Sequence, residues 1–278
     1  MRKTRYAAAA MAAAAALTLS ACGGDSGTDS ADSGDAETIR VGIKFDQPGL
    51  GFADAGSYTG FDVDVAKYVA AELGYSEDQI EWIETPSAQR ENMLENDQVD
   101  MIFATYSITD TRKEKVAFAG PYFVAGQDLL VRADSDITGP EDLNGKTLCS
   151  VTGSTSAQKV KDTLANEANL VEQPSYAECV TAMQGGSIDA VTTDDIILAG
   201  LASTDANKGQ FKVVGNTFSE EKYGVGIQKD SDKCEDINAA IEKMIEDGAW
   251  EEAIKKNTEG ADYTFNADLN PPTMDACA

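Results

Sequence analysis

The feature that most constrains this chain is an alternation of strand-like and helix-like segments that runs once, stops, and runs again. Thr38-Ile39-Arg40-Val41-Gly42-Ile43-Lys44 reads as a strand, and Pro48, Gly49 and Gly51 break the chain after it. Phe61, Val65, Tyr68, Val69 and Leu73 then recur at helical spacing, with Gly74 as a stop. A strand over Ile80–Ile83, a helix near Ala88–Glu95 and the apolar run Val99–Ala104 complete a β-α-β-α-β unit. The second run reads as strand Lys146–Val151, helix Ala157–Leu164, strand Asn169–Val171 and helix Tyr176–Met183. Strand Ile188–Thr192, helix Asp194–Leu201 and strand Phe211–Val214 end it. Each run specifies a mostly parallel sheet covered by helices, so the expected fold is α/β with two lobes. The C-terminal stretch, Tyr223–Ile227 with helices near Ile237–Glu246 and Trp250–Lys255, is too short for a third domain and should pack back on the first lobe. The chain would then cross twice, near Leu129–Arg132 and near Phe218–Gly224, giving a fold with two hinge crossovers. The expected organisation is lobe 1 over 38–130 and 223–278 and lobe 2 over 131–222. Strand ends of facing lobes can line one cleft, and a double crossover permits closure around a ligand.

The first residues carry Arg2, Lys3 and Arg5, then an Ala-rich run from Ala7 to Leu19, then Ser20-Ala21-Cys22. A basic start, a short apolar core and small residues before a cut are the parts of an export signal. The run is shorter than the ~20 apolar residues a membrane-spanning helix needs. Leu19-Ser20-Ala21-Cys22 resembles the bacterial lipobox, whose Cys becomes the lipidated first residue; a plain secreted protein cut near Ala21 is the simpler alternative. Residues 1–22 thus read as a lipoprotein signal, with lipidation at Cys22. Residues 23–37 hold no aromatic or large aliphatic side chain and read as a flexible tether. The protein is expected to be exported and lipid-anchored at the outer face of the cell membrane.

Composition removes several functions. The 22 Lys and Arg against 48 Asp and Glu give a net charge of −26, which disfavours a nucleic-acid partner. Any anion site must therefore be a local cluster of bases. There is no histidine, which excludes Ser-His and Cys-His nucleophiles and His-ligated metal sites. Besides Cys22 there are four cysteines, Cys149, Cys179, Cys234 and Cys277, and their spacing matches no metal cage. An even number in an exported chain suggests two disulfides. Three pairings are open; the local ones, Cys149–Cys179 and Cys234–Cys277, are favoured over the crossed ones and over reduced thiols. Neither a metal nor a cofactor is expected.

After the strand Val99–Ala104 comes Thr105-Tyr106-Ser107-Ile108-Thr109-Asp110-Thr111-Arg112. Hydroxyls and an Arg at a strand end make a carboxylate receptor, because Arg presents a bidentate fork and the hydroxyls add neutral donors. The same residues could equally be a Thr helix cap followed by a solvated Arg.

The stretch Val99–Arg112 resembles the signature of the polar amino-acid-binding proteins of ATP-driven importers, extracellular solute-binding family 3. The likeness extends over nearly all of Thr38–Lys256. It includes Gly60-Phe61-Asp62-Val63-Asp64, Phe118-Ala119-Gly120-Pro121-Tyr122-Phe123, Gly153-Ser154-Thr155, Ile188–Asp194 and Asp247-Gly248-Ala249-Trp250. The resemblance implies that Arg112 grips a ligand α-carboxylate, assisted by Thr105 and Ser107, and that Ser154 and Thr155 close on it from the second lobe. It places the ligand ammonium on Asp194, with Asp195 as the neighbouring alternative. Members taking basic or amide ligands commonly carry Asp at the end of the first strand, where this chain has Lys44. Lys44 and Arg90 look like the glutamate/aspartate subgroup and would meet an acidic ligand side chain. Their plainer readings are a solvated lysine and a surface Arg paired with Glu91 or Glu95. Tyr223 is a further pocket candidate, or a hinge-packing aromatic. The implied function is a monomeric, non-catalytic receptor for glutamate or aspartate that serves the permease and ATPase subunits of an importer. The alternatives are a receptor for glutamine or another polar amino acid, and a dehydratase on the same fold.

Overall fold

The computed structural model describes residues 37–164 and 168–277. The expected signal with Cys22, and the tether apart from Glu37, lie outside the described residues. Strand β1 (Ile39–Ile43) is followed by a hairpin, β2 (Phe52–Asp54) and β3 (Ser57–Thr59), and by helix α1 (Phe61–Glu72). Then come β4 (Ile80–Glu84), α2 (Arg90–Glu95), β5 (Met101–Ile102), α3 (Asp110–Lys113) and β6 (Ala117–Ala125). The second run is β7 (Gln127–Arg132), β8 (Thr147–Val151), α4 (Thr155–Lys159), β9 (Asn169–Gln173) and α5 (Tyr176–Gln184). It ends with β10 (Ala190–Asp194), α6 (Asp195–Ser203) and β11 (Phe211–Val213). Strand β12 (Glu221–Ile227) and helices α7 (Cys234–Glu246) and α8 (Ala249–Thr258) follow.

The strands form two five-stranded sheets, ordered β4-β1-β5-β12-β6 and β11-β7-β10-β8-β9. In the first, β1 runs parallel to β4 and β5 while β12 runs antiparallel to β5 and β6. In the second, β8 runs parallel to β9 and β10 while β7 runs antiparallel to β10 and β11. The alternating runs thus give parallel centres, and each sheet gains antiparallel strands from the chain that links the lobes. The crossings differ from expectation. Because β7 is hydrogen-bonded into the second sheet, the chain leaves the first sheet at Gly126, ahead of Leu129–Arg132. It returns between Val213, the last residue of the second sheet, and Glu221, where β12 enters the first.

The apolar stripe of α1, with Phe61, Val65 and Val69 all fully buried, faces the returning C-terminal helices. Its end is set by Gly74 at φ +93, a left-handed position that costs glycine little. Trp250 on α8 meets Phe61 at 5.7 Å and Phe123 at 6.1 Å between ring centroids. Beyond α8 the tail lies along β6: the Asn270 side chain accepts from Val124 N at 2.9 Å and donates to Val124 O at 2.8 Å. Disulfides join Cys149 to Cys179 and Cys234 to Cys277, the local pairing. The first ties β8 to α5, and the second ties α7 to the tail. No helix among the described residues is long and apolar enough to cross a membrane.

Candidate functional site

On the first lobe the site is built where β5 ends. Thr105 takes a left-handed backbone at φ +46, and its N–H donates to Asp62 Oδ2 at 3.1 Å. The Tyr122 hydroxyl donates to Asp62 Oδ1 at 2.8 Å. Asp62 is fully buried on α1, and burial pushes its carboxyl up to about 6 against the pull of those two bonds. Thr109 does cap α3, its hydroxyl accepting from Arg112 N at 3.2 Å. Arg112 is nevertheless buried, so the cap and the site are one arrangement. The Arg112 guanidinium donates to Ser107 O at 2.8 Å and to Glu91 Oε1 at 3.1 Å. Arg90 is buried as well, donating from Nη1 to Ala104 O at 2.7 Å. Its Nε has no acceptor, and no carboxylate lies within ion-pair distance of it, among the described residues. Burial pulls its guanidinium down to about 10, and the charge of Arg112 adds to that. Lys44 is buried with its Nζ 3.5 Å from Asp46 Oδ1; burial lowers its ammonium, with Asp46 opposing and Arg90 reinforcing the shift.

The second lobe contributes polar groups from the starts of α4 and α6. Ser154 caps α4, accepting from Ala157 N at 3.0 Å. Asp194 ends β10 and is buried; its Oδ2 accepts from the Tyr223 hydroxyl at 2.6 Å, while its Oδ1 has no partner among the described residues. Burial, then the nearby Glu221 carboxylate, push the Asp194 carboxyl well above the usual range. Asp195 turns away and accepts from Gly126 N at 3.4 Å and Ile196 N at 2.7 Å, which assigns it to the hinge. Of the two acids, Asp194 lines the cleft and Asp195 does not.

The two walls meet directly. Arg112 Nη2 donates to Gly153 O at 3.2 Å, and the Ser107 and Thr155 hydroxyls are 3.3 Å apart. Thr155 Oγ1 donates to Glu221 Oε2 at 3.2 Å, and Lys159 Nζ to Glu221 Oε1 at 2.6 Å. Between the walls is a cavity of about 10 Å³ lined by Arg90, Thr105, Ser107, Arg112, Ser154, Thr155 and Asp194, together with Ser87, Ser156, Tyr176, Thr193 and Ile197. Lys44 and Tyr223 are outside that lining: the Lys44 ammonium interacts electrostatically with Arg90, and the Tyr223 hydroxyl bonds Asp194. Asp62 and Glu221 were missed by sequence reasoning, and Glu91, read there only as a partner for Arg90, pairs with Arg112. Only Asp62 sits in a quoted motif, and the others are defined by partners far along the chain. A larger cavity of about 570 Å³ lies between α6, β11 and residues 260–266. Of its acids, Asp128 and Asp195 accept from Gly215 N and Gly126 N of the two crossings. No cluster of metal-ligating side chains occurs among the described residues.

Two α/β lobes joined by two crossings and facing each other across a buried polar cleft define a two-lobed binding protein. The chain belongs to the bacterial extracellular solute-binding proteins, family 3, whose family model matches residues 39–259. It is 47% identical over 269 residues to the glutamate-binding protein GluB of Corynebacterium efficiens, covering 91% of this chain and 90% of that one. It is 39% identical over 256 residues to the ABC transporter glutamine-binding protein GlnH of Bacillus subtilis, covering 87% and 92%. Among solved structures, an ancestral arginine-binding protein bound to glutamine matches with TM-score 0.73 and 34% identity, covering 80% of this chain and 97% of that one. A solute receptor for L-cysteine of Neisseria gonorrhoeae matches with TM-score 0.75 and 28% identity, covering 87% and 96%.

Proposed function

We propose that the protein is a receptor for L-glutamate, with aspartate as a weaker ligand, serving an ABC amino-acid importer. The observation that carries this reading is Arg90, a buried guanidinium with no carboxylate within ion-pair distance among the described residues. A buried charge left without a counter-charge costs several kcal/mol, so a ligand that brings one is favoured over a neutral isostere. Glutamate brings two carboxylates and an ammonium. In this reading Arg112, Thr105, Ser107, Ser154 and Thr155 hold the α-carboxylate, Asp194 with Tyr223 holds the ammonium, and Arg90 with Lys44 meets the distal carboxylate. A glutamine ligand would leave Arg90 unpaired. The name of the relative in Corynebacterium efficiens agrees, whereas that of the relative in Bacillus subtilis does not, so charge in the cleft is the discriminating feature.

Lobe 1 is assigned to residues 38–125 and 221–278 and lobe 2 to 127–214, with closure about the two crossings. Ligand shifts the open–closed population, and the closed form is what permease and ATPase partners would engage. A lipid at Cys22 and the tether would keep a monomeric receptor at the outer membrane face, where local concentration favours that encounter. The reading is binding without turnover. Asp62 is the most deeply buried acid near the cleft, and Thr105 and Tyr122 occupy both its oxygens.

Calorimetric titration of the protein without its signal against glutamate, aspartate, glutamine and arginine tests this. Glutamate should bind best, aspartate ~10–200-fold more weakly, and glutamine more weakly by up to ~10⁴-fold. Lys44→Asp and Arg90→Ala should each lower glutamate affinity far more than glutamine affinity. A parent protein that prefers glutamine or arginine would overturn the assignment.

A further inference from the structure

Both guanidiniums of the cleft lie over one aromatic ring. Arg90 Cζ is 4.4 Å and Arg112 Cζ 4.8 Å from the Tyr106 ring centroid. Tyr106 is fully buried and does not line the cavity. Its own position is tightly fixed. The Phe118 ring meets it edge-on at 4.8 Å, its carbonyl accepts from Gly224 N at 3.0 Å, and a Cβ at Gly226 would come within 2.6 Å of its Cε1. The same short turn supplies the carbonyls that anchor the two bases, Ala104 O for Arg90 and Ser107 O for Arg112. Each arginine is therefore tied to this turn at two points, one carbonyl and the shared ring, and Arg112 is held further by Glu91 and Gly153 O.

Two buried cations repel, and the charge of Arg112 makes the Arg90 proton easier to lose. The negative face of an aromatic ring attracts a guanidinium, more strongly where water is excluded. We propose that Tyr106 is a positioning residue for recognition: its ring sets the orientation and separation of Arg90 and Arg112, and so the spacing between the two carboxylates the site accepts. The inference rests on the reading of those arginines as the groups that hold the carboxylates. It makes discrimination between glutamate and aspartate, which differ by one methylene, depend on a residue outside the lining.

The test compares Tyr106→Leu, which removes the ring, with Tyr106→Phe, which keeps it, by calorimetry against glutamate and aspartate. Thermal unfolding of each variant is recorded alongside. Tyr106→Leu should lose roughly 10-fold or more in glutamate affinity and most of the glutamate-over-aspartate ratio, while Tyr106→Phe keeps that ratio within about 3-fold of the parent. Should the Leu variant fail to fold, pentafluorophenylalanine introduced at position 106 replaces it. That side chain has a ring of nearly the same shape with an inverted quadrupole, so it should behave as the Leu variant does and unlike Phe. A ratio unchanged in both the Leu and the fluorinated proteins, or a fluorinated protein that matches Phe, overturns the role of Tyr106 and leaves the functional reading standing. A parent without a preference for glutamate overturns both.

Discussion

Arg112 spends three of its five N–H groups on protein acceptors, Glu91, Ser107 and Gly153, and the two that remain are on its outer nitrogens. That division fits a side chain oriented by the fold and free to fork onto a carboxylate. Arg112→Ala should abolish measurable glutamate binding, since losing a desolvated charge pair costs ~2–5 kcal/mol. The unfolding transition should survive, because Glu91 keeps some access to water; near-parent affinity by calorimetry would remove Arg112 from the site. Asp62 carries a different expectation. Its carboxyl is raised from 3.8 to about 6 in the fold, so the folded state binds the proton more tightly than the unfolded chain. The stability this contributes is full below pH about 4 and is lost as pH rises through about 6, a change of about 3 kcal/mol. Asp195, also raised to about 6, acts in the same window and direction. Asp62→Asn should therefore flatten, without abolishing, the fall in urea-unfolding free energy between pH 4 and 7.5. An unchanged slope would show that Asp62 does not hold the proton.

At the scale of elements, most of the alternation was legible because helices with one buried stripe and strands of β-branched residues leave strong periodic marks. What was not legible has physical causes. Every residue of β6 is buried, so Ala117–Ala125 shows no polar alternation to mark it as a strand or to show where the sheet ends. The hairpin β2–β3 falls where Pro48, Gly49 and Gly51 signal only a break. In the cleft, residue type and motif pointed to Arg112 and Asp194, whereas the contacts of Glu91 and Tyr106 with the arginines are made by groups brought together only on folding. The disulfide pairing was legible only as a preference, since spacing alone left three choices. Its contribution is measurable. Cys234–Cys277 closes a separation of 43 residues and ties down a tail that otherwise holds β6 through the Asn270 side chain and one backbone bond, Asp275 N to Gly120 O. Cys277→Ser should cost about 4 kcal/mol on the chain-entropy model and lower Tm by about 10 °C for a domain of this size. Glutamate affinity at 20 °C should be retained. A Tm within 2 °C of the parent would mean the tail is held without the bond.

For the whole molecule, the two lobes approach closely at the backbone. At Gly200 on α6 a Cβ would stand 2.2 Å from Pro48 O on the opposite lobe, and the glycine is not in a left-handed conformation. Gly200→Ala should raise helix propensity by up to ~1 kcal/mol and leave the lobes as stable as before. The same methyl obstructs the closed form, so glutamate affinity should drop ~10-fold or more if closure supplies the interlobe bonds. An unaffected affinity would mean that the lobes meet differently around the ligand. The position of β12 has a consequence of another kind. It lies between β5 and β6 in the first sheet, although some ninety residues of the second lobe intervene in the chain. A chain emerging N-terminus first has the whole second sheet available before the strand that joins β6 to its own sheet has appeared. The later half of the sequence can thus acquire order while the earlier half waits, and a synthesis or passage halted before Glu221 strands an unfinished first lobe with β6 unpaired.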